Sequence, residues 1–205
     1  MEKISDGYYC DVFDLKNGIV LKKKKSFKNI FKSIKGKTSK SFFTDLFNTW
    51  KHIHDCERTT KIVLQNKHIP LELLGNPRFL NKTDYEQDKV ILLMDYFDSH
   101  SLEENKYIVD AYFDLIKELF GYEVHDNVYK FKNSYGINQK GQVVCIDFNE
   151  MVFSKKTVLT LAANEEWRTQ AQFTKFKEGP LKDYLASKFR EVLNKSVIEK
   201  LWDTR

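Results

Sequence analysis

The stretch Asn133–Glu150, "NSYGINQKGQVVCIDFNE", reads as a β-hairpin that ends on an acid. Tyr135–Asn138 form one arm, Gln139–Lys140–Gly141 supply the turn, and Val143–Ile146 form an apolar return strand. Asp147–Phe148 then set a carboxylate at the tip of that strand. Just upstream, His125, Asp126, Lys130 and Asn133 crowd a polar segment that reads as a loop. Such a strand-loop-strand unit gathers carboxylates, an amine and an amide in one place.

The chain around it is a globular one. At 205 residues and 41% hydrophobic content it can bury a real core as one domain or two small lobes. An aromatic content of 14% argues against disorder. No stretch approaches the ~18 apolar residues of a membrane span, and the N-terminus lacks the apolar region of a secretion signal. Cys10, Cys56 and Cys145 are odd in number and far apart, which fits reduced thiols. A cytoplasmic location follows as an expectation, with delivery into a host by an unconventional signal left open. His52, His54 and Cys56 fan apart on a helix in this reading, which argues against zinc.

The net charge of +5 is modest but uneven. From Leu15 through Thr44 there is no acidic residue, while ten lysines fall there. Within it, Phe27, Ile30, Phe31 and Ile34 have helical spacing and predict a basic amphipathic helix over 26–36. Its lysine face, 26–40, is either solvated or a contact for an acidic partner or an anionic membrane. Nucleic acid ranks last, because no aromatic stands on the polar face for base stacking.

Residues 4–24 read as strands around the Lys16–Asn17–Gly18 turn. A longer helix over 42–66 carries Phe43, Leu46, Phe47, Trp50, Ile53 and Leu64, with Glu57 on the same side. A carboxylate on an apolar stripe needs a partner. "LELLGNPRFLN" and "KVILLMDYF" read as two strands flanking a polar turn at Lys82–Asp88. Residues 106–120 have the stripe of a helix ending near Gly121. Gly179–Pro180 opens a last long helix through Leu185, Phe189 and Val192.

Taken in order, these segments resemble the protein kinases and kinase-like phosphotransferases over residues 4–150. The fold this implies is α+β, two-lobed and protein-kinase-like, with a small antiparallel-sheet lobe (1–97) and a shortened, mainly helical lobe (98–205). Gly7 resembles a member of the loop that covers the ATP phosphates, although Ser5 and Cys10 stand where flanking glycines belong. The resemblance puts Val12 under adenine, Lys22 on the phosphates and Glu57 on Lys22. "LLMDYFD", with Asp95 and Tyr96, resembles the hinge that binds adenine.

In the segment "HDNVYKFKN", Lys130 and Asn133 match the lysine and metal-binding asparagine of the kinase catalytic loop, and Val128 stands at the base position. Either an insertion makes Asp126 the base or the base is missing. Asp147 matches the metal-binding aspartate, with Asn149 in place of the family's glycine. Only residues 151–205 follow, without the family's later motif, as in the minimal kinases of bacterial effectors and phages. The resemblance implies ATP and Mg2+ as cofactors and transfer of the γ-phosphate to a hydroxyl, most simply of a protein Ser or Thr. A silent pseudokinase scaffold and a small-molecule kinase are the alternatives.

Overall fold

The computed structural model describes the whole chain except residues 7–9, 27, 32–41, 66–67 and 128. Gly7 and most of the expected basic helix lie outside the described residues; within that helix, 28–31 are helical. The fold is α+β. Strands β1 (Glu2–Asp6), β2 (Cys10–Asp14), β3 (Ile19–Lys24), β4 (Arg78–Phe79) and β5 (Tyr85–Asp88) form an antiparallel sheet in the order β1-β2-β3-β5-β4. The β2–β3 turn closes through Lys16 and Gly18, both at positive φ, a backbone that glycine adopts without strain. Asp14 fixes it, accepting from the Lys16 backbone N–H at 2.7 Å and from Lys89 Nζ at 2.8 Å.

Helix α1 (Phe42–Gln65) lies against this sheet. Ile53 and Cys56 on its inner face pack with Cys10 and Ile30 in a small apolar cluster. All three cysteines are free and buried.

The segment after Asn81 departs from the expected pattern. The strand β5 occupies Tyr85–Asp88, inside the expected turn, and the true turn is held by Asn81 and Asp84 side chains. Tyr85 and Gln87 face inward and are buried, so this strand hides an amide where an apolar residue was sought. "LELL" is a 3-10 turn, Leu71–Leu74, instead of a strand. Short strand β6 (Ile91–Leu92) runs directly into helix α2 (Leu93–Ser99), so "KVILLMDYF" is mostly not a strand. A short apolar run cannot be told apart as strand or helix by periodicity.

The remainder is mainly helical. Helix α3 (Leu102–Gly121) starts at a reciprocal capping box between Ser101 and Glu104. It is followed by β7 (His125–Asp126), the single turn α4 (Phe131–Ser134), the hairpin β8 (Tyr135–Ile137) and β9 (Val143–Cys145), and β10 (Met151–Val152). Helices α5 (Lys155–Ala163), α6 (Ala171–Thr174), α7 (Pro180–Val192) and α8 (Lys195–Leu201) complete the chain.

The hairpin pairs as expected, Gly136 opposite Val144, and β6 adds to its free side, Leu92 opposite Gly136. Phe113 of α3, Phe189 of α7 and Trp167 meet in an aromatic centre, with Trp167 and Phe189 stacked at 4.8 Å. Truncating buried rings of this kind costs about 3–5 kcal/mol, so the residues after Glu150 are bound to the core. Among the described residues no helix is long and apolar enough to cross a membrane.

Candidate functional site

Strand β3 points Val20 and Lys22 inward, and Lys22 stands opposite Val12 of β2. Lys22 is only 8% exposed, yet it makes no ion pair with a carboxylate among the described residues. Its ammonium donates to the Ile146 carbonyl and lies 5.7 Å from the Tyr85 ring. A buried ammonium has three donors to satisfy and is costly when they are not met.

The expected Lys22–Glu57 pair does not form. Glu57 accepts instead from Lys24 at 2.6 Å and Lys61 at 2.8 Å. Those hydrogen bonds, first Lys24's and then Lys61's, outweigh burial and hold the Glu57 carboxyl down at about 2. The reason lies in strand geometry. Lys24 sits two residues beyond Lys22, where a strand repeats the same face some 6.6 Å further along. That offset puts the second lysine at the helix and leaves the first for the space below.

The loop after β7 is organised from within. Strand β7 pairs with β10, Met151 opposite Asp126, and the Asn127 N–H donates to the Glu150 carbonyl at 3.2 Å. The Asp126 carboxylate accepts from the Tyr129 and Lys130 backbone N–H groups, each at 3.1 Å, and is 3% exposed. Tyr129 is held there at positive φ. Asp126 thus braces the loop from behind and does not line the cleft, contrary to the expected catalytic base. Its neighbour His125 is buried between the rings of Phe120 and Tyr129, 5.3 and 5.2 Å away, with no partner for either nitrogen among the described residues. Burial alone pulls its pKa down to about 3, so it stays neutral at physiological pH.

What this loop presents forward is Lys130 and Asn133. The Ser134 carbonyl accepts from the backbone N–H groups of Ile146, at 2.8 Å, and Asp147, at 3.2 Å. That pair of bonds sets Asp147 beside Asn133. The Asp147 carboxylate has no hydrogen bond or ion pair among the described residues. Behind it, Phe148 is buried and stacks on Tyr85 at 6.0 Å, which anchors the loop to the sheet.

Lys130 pairs with Glu150, and the other Glu150 oxygen lies 3.5 Å from His52 Nε2 on α1. Burial lowers the Lys130 pKa, but the Glu150 bond and charge, with Asp147 and Asp126 behind them, raise it overall. His52 Nε2 is also 3.5 Å from Cys56 Sγ. These two residues share a helix face after all, being four apart, whereas His54 turns away to Trp50 at 4.4 Å. No group of three metal-ligating His, Cys, Asp or Glu side chains forms among the described residues. Burial pushes the Cys10 and Cys56 thiols up to about 12, so both remain protonated.

All of these forward-facing groups open on one cleft of about 900 Å3. Its lining mixes the apolar side chains of Val12, Val20, Leu92 and Ile146 with the polar ones of Lys22, Lys130, Asn133, Asp147 and Glu150. The connector Asp88–Val90 lines it as well. Of the expected hinge residues, Asp95 lines the cleft from the first turn of α2, and Tyr96 stacks on His100 at 3.6 Å outside the cleft lining.

The structure therefore lines one cleft with Val12, Lys22, Asp95, Lys130, Asn133 and Asp147, and it leaves Glu57, Asp126 and Tyr96 outside that lining. Sequence reasoning missed Glu150, Gln87 and His52. Gln87 left a trace, since it sits two residues from Tyr85 on the same strand face. Glu150 left none beyond its place after Asp147. No model of a known protein family matches this chain, and no curated protein matches it.

Proposed function

We propose that this chain is an ATP- and magnesium-dependent phosphotransferase with a two-lobed, protein-kinase-like fold. In this reading residues 1–97 form the small lobe and 98–205 a shortened large lobe, with the β6–β8 pairing at their junction. The observation that carries it is Lys22: a buried ammonium with one carbonyl acceptor and no carboxylate among the described residues, in a cleft that Asp147 and Asn133 also line. A polyphosphate is the ligand that satisfies such a lysine.

The apolar side chains Val12, Val20 and Ile146 of the cleft lining suit a purine ring, with backbone groups of the 88–90 connector in the same lining. Asn133 and Asp147 offer hard oxygen ligands of the kind Mg2+ takes when phosphates complete its shell, and the unpaired Asp147 carboxylate fits that role. Magnesium, when bound, would neutralise charge on the phosphate oxygens. Lys22 would hold the inner phosphates, and Lys130 would share its charge between Glu150 and the γ-phosphate. Positioning and charge clamping of this kind do most of the work in phosphoryl transfer. The acceptor expected is a hydroxyl on a protein.

The withdrawal of Asp126 from the cleft favours a second reading, a nucleotide-binding scaffold without transfer. Calorimetric titration with Mg·ATP, followed by transfer of labelled γ-phosphate, separates the two. The expected result is binding and transfer in the wild type, with transfer lost and the thermal unfolding profile kept in Asp147→Ala. Transfer undiminished in Asp147→Ala would remove the proposed metal site. Binding without transfer would favour the scaffold.

A further inference from the structure

The cleft lacks the carboxylate expected at Asp126, yet an acceptor hydroxyl must be oriented and must lose a proton. We infer that Glu150 receives that proton. This rests on the phosphotransferase reading above.

Among the described residues, the carboxylates lining the cleft are Asp88, Asp95, Asp147 and Glu150. Asp88 accepts from Asn76 at 2.6 Å, on the connector side. Asp95 lines the cleft from the first turn of α2. Asp147 is the proposed metal ligand, beside Asn133. Glu150 alone sits on Lys130, the residue proposed to meet the γ-phosphate. It is also held in place: its backbone carbonyl is tied to Asn127, its carboxylate to Lys130, and its second oxygen faces His52.

In the transfer step the acceptor oxygen forms a bond to the γ-phosphorus as the bond from that phosphorus to the β–γ bridging oxygen breaks. ADP leaves with that electron pair. The hydroxyl proton passes to a Glu150 carboxylate oxygen. Lys130 stays between the two anions, which lowers the cost of bringing the phosphate to a carboxylate. Asp126 keeps the loop in shape and takes no part in the proton transfer.

The test uses the full chain with Mg·ATP, water being the acceptor. Release of inorganic phosphate is read beside the Mg·ATP Kd for the wild type, Glu150→Gln and Asp126→Asn. Glutamine keeps an oxygen for Lys130 but is far too weak a base. The expected result is a loss of phosphate release on the order of a hundredfold in Glu150→Gln, with Kd within about twofold. Asp126→Asn is expected to melt earlier and, below its melting range, to turn over within about threefold of wild type. Glu150→Gln turning over like wild type, or Asp126→Asn losing turnover while folded, overturns the inference. Wild type that binds Mg·ATP without releasing phosphate also overturns it, leaving nucleotide binding intact. Wild type that does not bind Mg·ATP overturns the phosphotransferase reading itself.

Discussion

Replacing Lys22 with methionine sets stability against binding in a way that tests the cleft directly. Lys22 is buried at 8% exposure and its ammonium has one acceptor among the described residues, the Ile146 carbonyl. Removing the charge forfeits one charge-assisted hydrogen bond, worth about 1.5–3 kcal/mol. It also removes the desolvation penalty of a buried ion, which is several kcal/mol even after relaxation. Methionine follows the same path past Tyr85 without strain, because it approximates the lysine stem in length and volume. The Ile146 carbonyl it abandons is at a half-exposed residue on the cleft wall, where water can reach it. The balance favours the variant by about 1–2 kcal/mol, or roughly 3–6 °C in Tm for a chain of this size.

Nucleotide reverses the order. Wild type at a hundredfold excess of Mg·ATP over Kd gains about 2.7 kcal/mol. The variant should bind on the order of a hundredfold more weakly, since each factor of ten is about 1.4 kcal/mol and a desolvated contact to phosphate is lost. Thermal melts with and without Mg·ATP read both effects in one plate: the variant melts higher alone and gains little from nucleotide. A variant that melts lower than wild type, or that keeps the full nucleotide shift, refutes the claim that Lys22 is held at a cost to stability for an anion.

Two further outcomes follow from the buried positions His125 and Gly136. The unfolded chain protonates His125 near pH 6.5, whereas the folded chain refuses the proton until about pH 3. Stability from this group is therefore complete above pH 6.5 and drains away as pH falls toward 3. His125→Phe, which keeps a ring beside Phe120 and Tyr129, should leave stability near neutrality almost unchanged and flatten its decline toward pH 4; urea midpoints at pH 7, 5 and 4 measure this, and parallel slopes in both proteins would contradict it. Gly136 lies under the connector, where a Cβ would stand 2.7 Å from the Ile91 carbonyl oxygen and 2.3 Å from Val90 Cγ2. Gly136→Ala should lower stability by about 1–3 kcal/mol and, because Val90 lines the cleft, weaken Mg·ATP binding as well; an unchanged melt would show that the connector yields freely.

Much of the frame was legible because it rests on local signals. The Gln139–Gly141 turn announced the β8–β9 hairpin, the apolar stripe from Ile108 to Phe120 announced α3, and Gly179–Pro180 marked the start of α7. Helix α2 was hidden because "VILLMDYF" satisfies either period, and the choice falls to pairing with β8, a partner some 45 positions later in the chain. The site was legible in part for a related reason. Lys22, Lys130, Asn133 and Asp147 could be placed because a strand or loop dictates roughly where each must be.

Partner choice is a finer matter than placement. Glu57 was expected on Lys22, yet Lys24 offers the same charge from the same strand face and lies nearer the helix. Asp126 was expected in the cleft, yet two backbone donors of its own loop compete for its oxygens and win. In both cases the sequence supplied a charge with more than one possible partner, and packing made the choice. Among the described residues the two choices leave Lys22 without a carboxylate and Glu150 as the acid on Lys130, which is the arrangement the proposed phosphate site needs.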